Sequence, residues 1–315
     1  MKIGIVGAGG VGSATAFALM MRGVAGEIVL VDLNKARAEA EAADIAHATT
    51  FSNASRITAG EYADLKDANI VIITAGANQK PGQTRTDLLE INVKIFKTIL
   101  SEIVKYAPNC IIIVASNPVD VMAHVTLELS GFPKERVIGS GTVLDTSRFR
   151  ALMGEYLGVS PQSVHASVLG EHGDSEVLVW SNAEAAAVNV MQFAKDINKP
   201  IDEKFIAQME NDVVNAAYKI INGKGSTFYG IAGCLSRICR AIGKDERAIF
   251  TVSSLQKDVE GIKDVFTSYP TVIGKHGIET VIHPELSADE HKRLKKSIAT
   301  IKDNSVEALA IVHKS

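Results

Sequence analysis

The sequence predicts an α/β protein, a doubly wound parallel sheet followed by a mixed α+β half. Short, almost wholly apolar runs alternate with helix-like stretches through the first half of the chain. Such runs suit strands buried on both faces, as in a parallel sheet covered by helices above and below. With 315 residues, 46% of them apolar and 22% charged, the chain can bury one large core or two intimately packed ones.

In order, Lys2–Val6 reads as a strand, with no signal-like segment ahead of it, and Val11–Met21 as a helix. Ile28–Val31 is a strand and Lys35–Ala48 an Ala-rich helix. Ile70–Thr74 is a strand, Leu88–Tyr106 a long helix, and Ile111–Val114 a strand again. The second half mixes β-like runs (Val164–Leu169, Val177–Trp180, Ile249–Leu255, Val265–Ile273) with helices near 202–222 and 228–241. The last helix opens on Ser287-Ala288-Asp289-Glu290, a capping box in which serine and glutamate satisfy each other's amides. No repeat or Pro/Gly linker separates the halves, so residues 1–140 and 141–315 are expected to be two domains sharing a large interface.

The net charge of −3 offers no broad attraction to nucleic acid or an anionic membrane. No apolar run reaches the ~18 residues that suggest a membrane helix. Cys110, Cys234 and Cys239 have no paired metal-ligand spacing. They read as reduced thiols of a cytoplasmic protein, Cys110 a small core residue, and no metal is expected.

Gly7-Ala8-Gly9-Gly10-Val11-Gly12 satisfies G-x-G-x-x-G between a strand and a helix. Gly7 permits the tight turn, Gly9 lets the backbone approach a pyrophosphate, and Gly12 allows close helix–strand packing. The helix N-terminus at Val11 offers free N–H groups to the anion. Asp32 ends the next strand, where it can accept from both ribose hydroxyls and would repel a 2′-phosphate. These features define a Rossmann fold that prefers NAD to NADP.

The second half carries the chemistry. Gly170-Glu171-His172-Gly173-Asp174 places a histidine on a tight loop between two strands, and histidine alone both takes and gives a proton near neutrality. Asp145 and Arg148, three apart, share one side of a helix start. Ser116-Asn117-Pro118 follows the strand Ile111–Val114, at the sheet edge where such folds bind ligands. Gly76 to Arg85 has the glycine, proline and polar content of a loop. Singly, these have bland readings: a surface histidine, a surface ion pair, a solvated arginine.

Together they give the chain a resemblance, over essentially its whole length, to the NAD-dependent L-lactate dehydrogenases of the bacterial type. The glycine fingerprint, Asn-Gln-Lys-Pro-Gly, Ser-Asn-Pro-Val-Asp, Asp-Thr-Ser-Arg-Phe-Arg and Gly-Glu-His-Gly-Asp all occur in that family's order. The resemblance implies that His172 is the acid–base histidine and Asp145 its carboxylate partner. It makes Arg148 the clamp on the substrate carboxylate, Arg85 the loop arginine that polarises the carbonyl, and Asn117 a contact to cofactor and substrate oxygen. Thr227 would line the substrate pocket. The chemistry agrees: reducing pyruvate needs a proton donor, positive charge at the developing alkoxide and a planar carboxylate clamp.

Related malate dehydrogenases present an arginine where this chain has Gln79. A second substrate carboxylate beside a glutamine would be disfavoured by several kcal/mol, so the expected substrates are pyruvate and L-lactate. Malate or another 2-hydroxy acid is the alternative substrate, and a non-catalytic NAD-binding protein the alternative class. The resemblance further implies that Arg150 and His165 bind fructose 1,6-bisphosphate at a two-fold subunit interface, in a homo-oligomer expected to be a tetramer. Ser226 and Gly233 depart conservatively from the family pattern near the pocket helix.

Overall fold

The computed structural model describes residues 1–77 and 85–314, without the side chains of residues 85 and 86. Gln79 and the side chain of Arg85 lie outside the described residues. The first half comprises β1 (Lys2–Val6), α1 (Gly10–Met21), β2 (Glu27–Val31), α2 (Lys35–His47), β3 (Arg56–Ala59), β4 (Ile70–Ile73), α3 (Arg85–Tyr106), β5 (Ile111–Val114), α4 (Val119–Ser130) and β6 (Val137–Gly139). There follow α5 (Val143–Leu157), β7 (Val164–Leu169), β8 (Val177–Ala185), β9 (Val188–Asn189), α6 (Val190–Asp196), α7 (Glu203–Val214), α8 (Ala216–Lys224) and α9 (Tyr229–Gly243). β10 (Ala248–Val259), β11 (Ile262–Gly274), β12 (Gly277–Val281) and α10 (Ala288–Lys314) complete the chain.

Six parallel strands lie in the order β3-β2-β1-β4-β5-β6. Strand order reverses between β1 and β4, which opens a crevice at the carboxyl ends of the strands. The apolar runs serve both faces. Ile70, Ile72, Ile111 and Ile113 join the core beneath α1, α2 and α9, while Val71, Ile73, Ile112 and Val114 join the core beneath α3, α4 and α10. All three cysteines are buried and free. The Ser287–Glu290 capping box forms, with the Ser287 amide donating to Glu290 at 2.7 Å and the Glu290 amide to Ser287 at 3.3 Å.

Three features depart from the pattern in the sequence. The sheet continues into the second half, because β10 pairs antiparallel with β6 through Ser253 and Gly139. A Cβ on Gly139 would lie 2.8 Å from that of Ser253, so a glycine permits this close seam. Helix α4 was not singled out in the sequence, and every residue from Val119 through Thr126 is buried. The helical stretch near 202–222 breaks at Asn215 into α7 and α8, and α8 buries no residue in the chain. A second, three-stranded sheet, β7-β8-β9, packs against α5. No helix among the described residues is long and apolar enough to cross a membrane.

Candidate active site

The glycine loop is built as the motif requires. Gly7 sits at φ +106°, and a Cβ there would lie 2.7 Å from the Ala75 amide nitrogen. A Cβ on Gly12 would run into the Gly7 carbonyl oxygen, whereas Gly9 opens onto free space. No side chain caps α1 at Gly9, so the first-turn amides, Val11 among them, remain available to an anion. Asp32, at the end of β2, accepts the Ala8 amide at 2.6 Å and the Asn34 amide at 2.8 Å. It thus holds the turn as well as placing a carboxylate beside it, a role the motif alone did not reveal. An open cradle with free amides and an acid at the neighbouring strand end fits a dinucleotide.

The His172 loop is secured from three elements. Gly170, at φ +87°, bridges Ser268 on β11 by two backbone hydrogen bonds of 3.1 and 3.2 Å. The Glu171 amide donates to Ser297 of α10, and the His172 amide donates to Asp120 of α4, each at 2.9 Å. Asp120 is 2% exposed, and its burial pushes the carboxyl up to about 6 despite that amide. Sequence reasoning did not single out Asp120. Its signal was an acid inside the apolar run Val119–Ala123, where an ionisable group must have a partner.

Asp145 and Arg148 stand one helical turn apart on α5, as the spacing implied; Asp145 is buried and Arg148 half-buried. Asp145 accepts from Arg148 Nη1 at 2.8 Å through Oδ1 and meets His172 Nδ1 at 2.6 Å through Oδ2. The Asp145 side chain is 2% exposed and that of His172 24%, so the ring reaches the crevice while its partner stays dry. A proton on Nδ1 directed at Asp145 leaves Nε2 for a ligand. Burial alone would depress the histidine. Asp145's charge and hydrogen bond, with Asp120 adding, outweigh it and raise the imidazole to about 9. Burial also opposes ionised Asp145, but His172 and Arg148 hold its carboxyl below the ordinary value. Glu176 is the further neighbour, with a potential ligand atom within 4.8 Å of one on each of Asp145 and His172. With a guanidinium already on Asp145, the cluster is suited to holding protons rather than a divalent cation.

The remaining sequence-predicted residues lie on several elements. Asn117 is exposed just after β5, and its carbonyl accepts from Asn92 of α3 at 3.3 Å. Buried Asn92 also accepts the Ala77 amide at 2.8 Å, bracing the chain where it enters residues 78–84. Thr227 is half-buried in the turn between α8 and α9. The adjacent Phe228 ring comes within 3.1 Å of where a Cβ on Gly10 would stand, which sets this turn against the glycine loop. Arg150 is half-buried on α5, and His165 is exposed on β7.

This fold and site fit a dehydrogenase that binds a dinucleotide in its first half and carries a histidine–aspartate pair in its second. Residues 1–139 match the model of the lactate/malate dehydrogenase NAD-binding domain, and residues 142–312 that of the family's alpha/beta C-terminal domain. The chain therefore belongs to the lactate/malate dehydrogenase family of NAD-dependent oxidoreductases. It is 51% identical to the L-lactate dehydrogenase of Allorhizobium ampelinum over 96% of this chain and 98% of that one. Identity to the L-lactate dehydrogenase of Thermus aquaticus is 48%, over 96% and 97% respectively. The crystal structure of MGS-M5, a lactate dehydrogenase from a Medee basin deep-sea metagenome library, aligns with TM-score 0.94 at 39% identity, covering 98% of both chains. The minor L-lactate dehydrogenase of Enterococcus mundtii aligns with TM-score 0.93 at 38% identity, covering 97% of both. NAD(H) is the cofactor, and the reading as a non-catalytic NAD-binding protein falls away.

Proposed function

We propose that this enzyme is an L-lactate dehydrogenase that reduces pyruvate to L-lactate with NADH, reversibly. The observation that carries the reading is the Arg148–Asp145–His172 chain of contacts about buried Asp145, 2.8 and 2.6 Å long, in a family member whose compared relatives are L-lactate dehydrogenases. Bound cofactor supplies the hydride to the keto carbon. His172, charged through Asp145, delivers its Nε2 proton to the keto oxygen. Arg148 has one nitrogen committed to Asp145 and offers its remaining donors to the substrate carboxylate. Arg85 brings positive charge to the developing alkoxide, Asn117 contacts cofactor and substrate oxygen, and Thr227 lines the pocket. Gly7, Gly9, Val11 and Gly12 hold the pyrophosphate and Asp32 the ribose. Residues 1–140 act as the cofactor domain and 141–315 as the catalytic one.

Gln79 selects pyruvate over oxaloacetate, leaving a second carboxylate without a cation. Gln79→Arg is expected to shift the kcat/KM ratio toward oxaloacetate by at least about tenfold. An unshifted ratio would remove Gln79 from the substrate pocket.

The working enzyme is a cytoplasmic homotetramer activated by fructose 1,6-bisphosphate. Reduced Cys110, Cys234 and Cys239 support the compartment. Arg150 and His165 lie on α5 and β7, two elements that pack together, so a two-fold axis would gather four basic groups around two phosphates. The bisphosphate is expected to lower KM for pyruvate by about 5- to 150-fold. Arg150→Ala or His165→Ala should abolish that response and leave the effector-free rate in place. Identical kinetics with and without the sugar phosphate, across pH and protein concentration, would refute the activation.

A further inference from the structure

Glu176 ends the His172 loop one residue before β8 and is 6% exposed. Its Oε1 is fully buried without a hydrogen-bond partner among the described residues. A carboxyl oxygen of Glu176 lies within 4.8 Å of one of Asp145. Two carboxyls this close, both buried, cannot both ionise at little cost, so one of them holds a proton. The geometry decides which one carries it. Asp145 faces the Arg148 guanidinium at 2.8 Å and His172 Nδ1 at 2.6 Å, and both contacts require a carboxylate. The free oxygen of Glu176 has no compensating donor.

We propose that Glu176 is a positioning residue of the catalytic pair, a neutral carboxylic acid that donates its O–H to Asp145 and holds that carboxylate toward His172 and Arg148. The charged groups facing it are Asp145 and Arg148 on α5 and His172 on its own loop, with Asp120 of α4 beyond the imidazole. Burial first, then the charge of Asp145, set against His172 and Arg148, push its carboxyl up to about 9. Neutrality matters to the reaction. An ionised glutamate would add to the charges of Asp145 and Asp120 and bind the imidazolium proton too tightly for efficient transfer. The donated hydrogen bond instead spreads the charge of Asp145 and keeps its rotamer. This inference rests on His172 being the proton donor.

Infrared difference spectroscopy of the intact enzyme against E176Q at neutral pH reads the protonation state directly. A protonated-carboxyl band present in the parent and lost in E176Q is expected, and its absence overturns the proposal. The pH profile of kcat/KM for pyruvate reads the role. E176L should lose about tenfold in kcat/KM and raise the apparent pKa of the catalytic pair, because Asp145 loses a donor. E176Q, a neutral donor of the same shape, should recover most of that loss and keep the parent pKa. A parallel fall in apparent pKa in both variants would mean an ionised glutamate, and three identical profiles would mean no role. If E176L fails to bind NADH, the infrared band and the E176Q profile still decide. His172→Asn in the same series separates the two claims. Full turnover there would sink the proton-donor reading, whereas a dead His172→Asn beside unchanged Glu176 variants would sink only the role of Glu176.

Discussion

His172→Asn is expected to reduce kcat for pyruvate reduction about 10³-fold, within the range that a positioned general acid contributes. NADH binding, followed by its fluorescence, should change little, because the imidazole lies on the second-half loop and the dinucleotide cradle is made by the glycine turn and Asp32. The parent's pH dependence follows from the same residue. The imidazole is raised from its ordinary 6.5 to about 9, so the proton is held across neutral pH. The stabilisation from the charged pair is complete below the ordinary value and is lost as pH rises through about 9. Pyruvate reduction consumes the protonated form, and its kcat/KM should be flat near neutrality and fall above about pH 9. Lactate oxidation needs the neutral ring and should rise over the same interval. Opposite limbs with a shared midpoint, measured by initial rates in both directions, are the expected signature.

Arg148→Lys should be almost as damaging although it conserves charge. The guanidinium does two things at once: one nitrogen pairs with Asp145 at 2.8 Å, and the others remain for a planar carboxylate. An ammonium is a compact point charge and cannot do both. Breaking a buried pair costs roughly 3 kcal/mol or more, about 10²-fold, so kcat/KM for pyruvate should fall by at least that factor, with much of the loss in KM. Because Asp145 also orients His172, the apparent pKa of the pair should move with it. A variant that lost KM alone, with an unaltered pH profile, would show that Arg148 and Asp145 act independently.

Most of this was legible in the residues. Strand–helix alternation foretold the parallel sheet, and the groups proposed as catalytic stood out because the chemistry leaves few substitutes for a histidine, an acid and an arginine. What escaped were effects of burial. Asp120 and Glu176 look like ordinary acids in the sequence; each matters because it is 2% or 6% exposed beside the histidine loop. Helix α4, buried from Val119 through Thr126, also escaped. The β6–β10 seam escaped because it depends on a single close approach at Gly139, far along the chain from its partner Ser253.

The ratio of kcat/KM for pyruvate to that for oxaloacetate, measured with NADH at neutral pH on the unmodified enzyme, bears most directly on the assigned reaction. A ratio of about 10² or more in favour of pyruvate is expected, since the proposed specificity residue Gln79 offers a second carboxylate no charge. Equal rates, or a preference for oxaloacetate, would contradict it.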